Sequence, residues 1–319
     1  MVIAVDETGS FRAGKGLNYG LTVLVTVTDS TWGDFVKYAD GLFPSGWKNV
    51  KGKTVGEKER EELIKFIGKR DEFKYVAHLY DLGFGEDSVV KEHQAIQKAK
   101  FLGQKARPSM QKELQMLHNQ LGNLSVSDYS KFILIFELFV EWQRFFQFDY
   151  VYTHPSRDSW VLWHTVDTQN KPDKFKDLIK KMLILTTSNL NPNYGIFSPA
   201  EWKREHPFNE RHCLDGDVTK QSGRIFFENF KIGNEQNDPC LILPDLIGHT
   251  IHKSISNRNE KRWLRLLKRL RNNRSLTMTN KRTGKPEQYY LVRGFDKNRD
   301  SGGVAEEIKE HYRSMRDLS

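Results

Sequence analysis

Two cysteines, Cys213 and Cys240, are all that the 319 residues contain. That number excludes a disulfide framework and any four-cysteine zinc site. His206, His212 and Cys213 lie close in sequence, but their spacing matches no standard zinc pattern. Long apolar runs are also missing. The longest, Phe132 to Val140, carries Glu137 and falls well short of the roughly 20 residues that span a bilayer. The opening MVIAVDE lacks the basic-then-apolar pattern of a signal peptide. There is no GxxxxGK[ST] and no GxGxxG after a strand, which disfavours nucleotide-cofactor enzymes. Ser10 and Ser222 lie in no nucleophile-elbow pattern. These absences lead us to expect a reducing, cytoplasmic setting without a membrane partner.

What is present is an uneven charge. The whole chain carries a formal net charge of +9. Lys253 to Lys285 alone holds 12 Lys/Arg and one acid, Glu260, so the remainder is slightly acidic. Trp263, Leu266, Leu267 and Leu270 recur there at helical spacing, with Arg262, Arg265, Lys268, Arg269 and Arg271 between them. Such an amphipathic basic helix has two main readings. It is the solvated outer face of a packed helix, or it holds the phosphates of a nucleic acid. A membrane-surface or partner helix is a third.

Hydrophobic residues make up 38% of the chain, enough for a sizeable core, and the length suggests about two domains or one with large insertions. Val2 to Val5 and Tyr19 to Thr28 read as strands around a loop, and Phe73 to Tyr80 as a third. Residues 88–147 read as helical, broken near Pro108, with Ser125 or Ser127 capping the apolar stretch beyond. WVLWHTV, Trp160 to Val166, is a strong strand signal; Asp173 to Leu185 reads as a helix, and Ile225 to Ile232 as another strand. Pro239 to Ser256 leads from a strand end or loop into a helix. Lys281 to Arg293 resembles a hairpin about a TGKPE turn. This order predicts an α/β protein: a mixed sheet with helices on both faces.

Three acids stand at the ends of apolar segments. Asp6 ends the first strand, Asp167 follows WVLWHTV, and Asp245 sits in LILPDLIGHTI. Each has a local reading: Asp6 and Asp167 cap turns, and Asp245 caps a helix N-terminus. If the three meet in space they repel, and hard divalent cations bound by oxygen resolve that repulsion. Two such ions form the usual clamp for phosphodiester hydrolysis. His249, four residues after Asp245, shares its helical face and can orient a carboxylate, touch a metal, assist protonation, or simply pack. His252 comes next on the same helix. Asp215-Gly216-Asp217 reads first as a turn and alternatively as part of a site.

IAVDETGSF with the strand LTVLVTV resembles the opening of the domain-of-unknown-function 3800 family. Val50 to Lys53 (VKGK), WHTVDTQNKPDKFKDLIKKML and CLILPDLIGHTIH resemble its later segments, in the expected order across roughly residues 1–257. The resemblance implies a ribonuclease-H-like core over 1–257, with a helical insertion near 81–147 and a basic C-terminal extension over 258–319 packed on it. It implies a metal-dependent nuclease, a hydrolase of DNA or RNA, using Mg²⁺ or Mn²⁺. Asp6, Asp167 and Asp245 would then be catalytic metal ligands, and Glu7 a further catalytic acid. A bacterial defence setting fits it. Two departures stand out: the VKGK loop carries no acid, and Leu243-Pro244 precedes the last Asp. Glu137 is the other candidate for a fourth acid. The alternative function is a non-catalytic nucleic-acid-binding or protein-interaction module on the same fold.

Overall fold

The computed structural model describes residues 2–12, 18–47, 50–70, 72–82, 87–102, 108–136, 138, 160–163, 178, 213–214, 217–221, 230–232 and 239–256. Beyond these it describes positions 262, 265, 266 and 269, and residues 277–279, 286–288 and 290–294.

β1 (Val2–Gly9) and β2 (Tyr19–Val27) form an antiparallel hairpin paired from Val2↔Val27 to Gly9↔Gly20. β2 is rich in β-branched residues and buried along its whole length, which fits a central strand. Gly9 has a positive φ of 103°, and a Cβ there would lie 2.5 Å from the Tyr19 carbonyl oxygen, so the strand ends on a residue that needs no side chain. Asp6 therefore stands within β1 and does not close it.

α1 (Asp29–Leu42) comes next, with Thr28 Oγ1 accepting from the Thr31 amide at 3.2 Å as its N-cap. α2 (Glu57–Gly68) buries Leu63, Ile64, Phe66 and Ile67. Phe35 of α1 meets Trp47, Phe66 and Phe73 edge-on, with ring centroids 5.8–6.1 Å apart, and this aromatic group ties both helices to the sheet. β3 (Lys74–Asp81) pairs antiparallel with β2.

The helical region divides into three. α3 (Asp87–Leu102) is followed by α4 (Pro108–Gly122), so Pro108 opens a helix, where its missing N–H costs nothing. α5 (126–136) is capped by Ser125, whose Oγ accepts from the Asp128 amide at 3.1 Å. The Gln94 amide of α3 donates to the carbonyls of Leu121 (2.6 Å) and Leu124 (3.1 Å), and His93 bonds Tyr129 Oη at 2.7 Å. These bonds fasten α3 to the end of α4 and to α5.

β4 (Trp160–Trp163) lies parallel to β1, and β7 (Phe230–Ile232) parallel to β4. β5 (Cys213–Leu214) and β6 (Asp217–Gln221) form a small antiparallel pair with Leu214 opposite Asp217; Asp215 and Gly216 lie outside the described residues. A 3₁₀ turn, Pro239–Leu241, leads into α6 (Ile242–Ser256). β8 (Thr277–Thr279) and β9 (Pro286–Gln288) pair antiparallel, so Pro286 and Glu287 of the expected TGKPE turn belong to a strand; residues 280–285 lie outside the described residues. The residues that follow do otherwise. β10 (Tyr290–Gly294) joins the main sheet parallel to β3, so the C-terminal segment supplies a strand.

Among the described residues the main sheet thus has six strands in the order β10-β3-β2-β1-β4-β7. The chain is mixed α/β, as its pattern predicts. α1, α2 and α6 share one core with the sheet. On the other face, Lys131 of α5 meets Glu7 of β1 and lies over the Phe11 ring. Among the described residues no helix is long and apolar enough to cross a membrane.

Candidate functional site

Strand alternation settles which β1 side chains share a face. Ala4, Asp6 and Thr8 form one set; Val5 and Glu7 form the other. Ala4 packs on Cys240 and Leu241 just before α6. Further on, Gly248 of α6 lies against Thr8 and Val23, where a Cβ would stand 3.4 Å from Thr8 Oγ1 and from Val23 Cγ2. Beyond the end of β1, Tyr19 Oη bonds His252 Nδ1 at 2.6 Å. α6 therefore runs along β1 in the same direction. Asp6 lies between Ala4 and Thr8, and Asp245 lies between Leu241 and Gly248. The fold brings these two acids to the same face of the sheet. Asp6 is buried and its Oδ1 accepts from the Glu7 amide at 2.8 Å, so a local backbone bond coexists with this placement.

Asp245 is half-buried and sits inside the first turn of α6. Its Oδ2 accepts a hydrogen bond from the Gly52 amide. The VKGK loop, which has no acid, thus reaches the carboxylate through its backbone. Gly52 is required there: a Cβ would lie 2.6 Å from the Asp245 carbonyl oxygen and 2.8 Å from Oδ1. The loop is folded back on itself, with the Lys51 carbonyl accepting from the Thr54 amide (2.8 Å) and the Val55 amide (3.0 Å).

Behind this contact stands Arg60 of α2, only 3% exposed. It donates to the Gly52 carbonyl and to Thr250 Oγ1 at 3.4 Å. Burial lowers its pKa, and the negative charges of Asp245 and Glu57 oppose that shift. A buried guanidinium needs an anion in reach, and Asp245 supplies one. Arg60 is absent from the expected site residues, yet its signal is in the sequence. It occupies the same helical stripe as Leu63, Ile64 and Ile67, where an arginine is out of place without a partner. Gly52 had a weaker signal, as one glycine in a short basic loop.

His249 has its pKa pushed down to about 4 by burial, with Arg60, His252 and Lys253 adding to the effect. It is a neutral imidazole at neutral pH, and its buried Nδ1 has no hydrogen-bond partner among the described residues. His252 is also lowered, by burial and then Lys253. Burial raises the Tyr19 phenol.

Glu7 is not brought to this group. Its side chain points to the opposite face, 3.8 Å from Lys131, with both side chains under 10% exposed. Asp167, Glu137, Lys268 and Arg271 lie outside the described residues, as do His206, His212 and Asp215. The β1–β4 register is described as far as Val5↔Trp163. Of the basic residues, Arg262 pairs with Glu57, and Arg269 pairs with Glu61 at 2.7 Å. Arg269, then Lys65, holds the Glu61 carboxyl below its usual range. Arg265 is exposed, while Leu266 is buried in the main core. Among the described residues no group of three or more His, Cys, Asp or Glu is arranged to hold a metal ion. Asp6 and Asp245 are oxygen donors of the kind a hard divalent cation takes, and they lie on one face of the sheet.

Comparison with protein-family models, with curated proteins and with solved structures found no match.

Proposed function

We propose that the chain is a metal-dependent nuclease of ribonuclease-H-like architecture, acting on the face of β1 along which α6 runs. The antiparallel start and the later strands laid parallel to β1 support that architecture. One observation carries the activity: α6 runs along β1, so that Asp6 and Asp245, far apart in sequence, share one face of the sheet. Two acids placed together across an apolar core have a reason if they serve a common cation.

Asp6 and Asp245 would hold Mg²⁺ or Mn²⁺, with Asp167 as the third ligand. The cation, when bound, supplies an activated water and charge stabilisation at the scissile phosphate. The chain's own residues prepare the place. The Gly52 amide fixes one oxygen of Asp245. Arg60 holds the Gly52 carbonyl and so keeps the loop against α6. His249 stays neutral, able to accept a proton on the helical face it shares with Asp245.

The test is cleavage of end-labelled single-stranded and duplex DNA, RNA and hybrid, with Mg²⁺, Mn²⁺ or EDTA. Asp6→Asn, Asp167→Asn and Asp245→Asn are compared with the unaltered chain. The expected result is metal-dependent cutting that falls at least about a hundredfold in each variant, since each removes a charge from the cation. No cutting of any substrate, with nucleic-acid binding unchanged by EDTA or by the variants, overturns the reading and leaves a binding module.

A further inference from the structure

The basic C-terminal helix divides its charges between two uses. Arg262 and Arg269, seven residues apart, both turn toward α2 and pair with Glu57 and Glu61. Leu266, between them, is buried in the core that α2 shares. The backbone is close as well: a Cβ on Gly68 would lie 2.6 Å from the Arg269 carbonyl oxygen. Arg262 lies beside the start of α2 and Arg269 beside its end, so the helices run in the same direction. These two arginines hold the helix in place, and their charge is answered by acids of the same chain.

Three cations near the start of α2 stand differently. Lys53, Lys58 and Arg265 are exposed and make no ion pair among the described residues. Lys53 belongs to the turn whose Gly52 amide touches Asp245. Lys58 is in the first turn of α2, and Arg265 is one turn along the basic helix from Arg262. Lys53 thus follows the residue whose amide touches Asp245, and the Arg262–Glu57 pair brings the turn carrying Arg265 to the turn carrying Lys58.

We infer that Lys53, Lys58 and Arg265 form the surface on which a phosphodiester backbone lies as it approaches Asp6 and Asp245, while Arg262 and Arg269 are structural. This rests on the nucleic-acid reading above and names the contact within it. Phosphate contacts of this kind give affinity without base selectivity, and each adds to the salt dependence of binding.

The experiment measures binding of a fluorescein-labelled single strand and duplex in EDTA over a range of salt. It compares the unaltered chain, a charge-reversed chain (K53E, K58E, R265E), the corresponding triple alanine chain, and R262Q with R269Q. Thermal melts are recorded for all. Charge reversal is expected to weaken binding at least about tenfold at low salt and to lower the slope of log affinity against log salt by about two to three. The alanine chain should lower the slope similarly with its melting unchanged. R262Q with R269Q should melt earlier and keep the slope. A slope that falls in the glutamine chain but not in the other two overturns the inference, and so does a wild-type chain that binds neither probe. Binding of the expected pattern without metal-dependent cutting keeps this surface and sinks the nuclease reading. Cutting accompanied by unchanged binding in the charge-reversed chain sinks the surface alone.

Discussion

Asp6 and Glu7 are neighbours in sequence, yet their side chains reach opposite faces of the sheet. Asp6 faces α6, near Asp245, where charge meets a backbone amide, a buried arginine and two histidines of lowered pKa. Glu7 faces α5 and meets one lysine in a packed setting, with Thr22 opposite it on β2 and His78 opposite Thr22 on β3. The first face gathers its polar groups around the Gly52 amide and the buried Arg60. The second uses an ion pair to fasten a helix. Adjacent acids thus meet different surroundings, because a strand sends successive side chains to opposite sides.

Breaking the second face should have the largest effect on stability. Lys131→Met takes the cation away from the buried Glu7 carboxylate and should cost about 3–5 kcal/mol, while Glu7→Met together with Lys131→Met should recover most of the loss. Denaturant unfolding of the single and double variants checks this. Equal losses in both would mean that packing, not charge, dominates the contact. Gly52→Ala attacks the first face. It forces the loop off Asp245 and should cost about 1–3 kcal/mol with loss of cutting, read by unfolding and by the cleavage assay. Wild-type activity in that variant would remove the Gly52 amide from the proposed site.

A finer contrast concerns pH. His249 is neutral when folded, with its pKa at about 4 against an ordinary 6.5. Between those values the unfolded chain binds more protons, so stability rises with pH across that window and is lost as pH falls through it. His249→Gln should flatten the change of melting temperature between pH 4 and pH 6.5. A slope identical to the wild type would assign it to other groups. The smallest effect belongs to Thr22→Val on the other face. Its hydroxyl is buried with no partner among the described residues, so removal should be neutral or stabilise by up to about 1 kcal/mol. A loss above that would reveal a bond that the hydroxyl makes.

Much of the local structure was legible. The β-branched run of β2, the apolar start of β1 and the LILPDLIGHTI helix arise from period and composition. Boundaries were less so. β1 runs past Asp6 because its partner continues to Gly20, and nothing within VIAVDETG says so. QYYLVR reads as the second strand of a hairpin, but Tyr290–Gly294 pairs with β3, some two hundred residues earlier in the chain. The candidate site was half legible. Acid positions could be read from the apolar segments around them, whereas the Gly52 amide could not, because a backbone donor has no side chain to announce it.

Sequence alone determined the mixed α/β character, the basic segment near the C-terminus, and the presence of acids inside apolar surroundings, since these depend on residue type and short-range period. Tertiary structure decided which acids share a face, which arginines are already paired with glutamates, and that a buried Arg60 stands behind the Asp245 contact. Those outcomes depend on strand register and on helices packing across distant segments, and no local pattern encodes either.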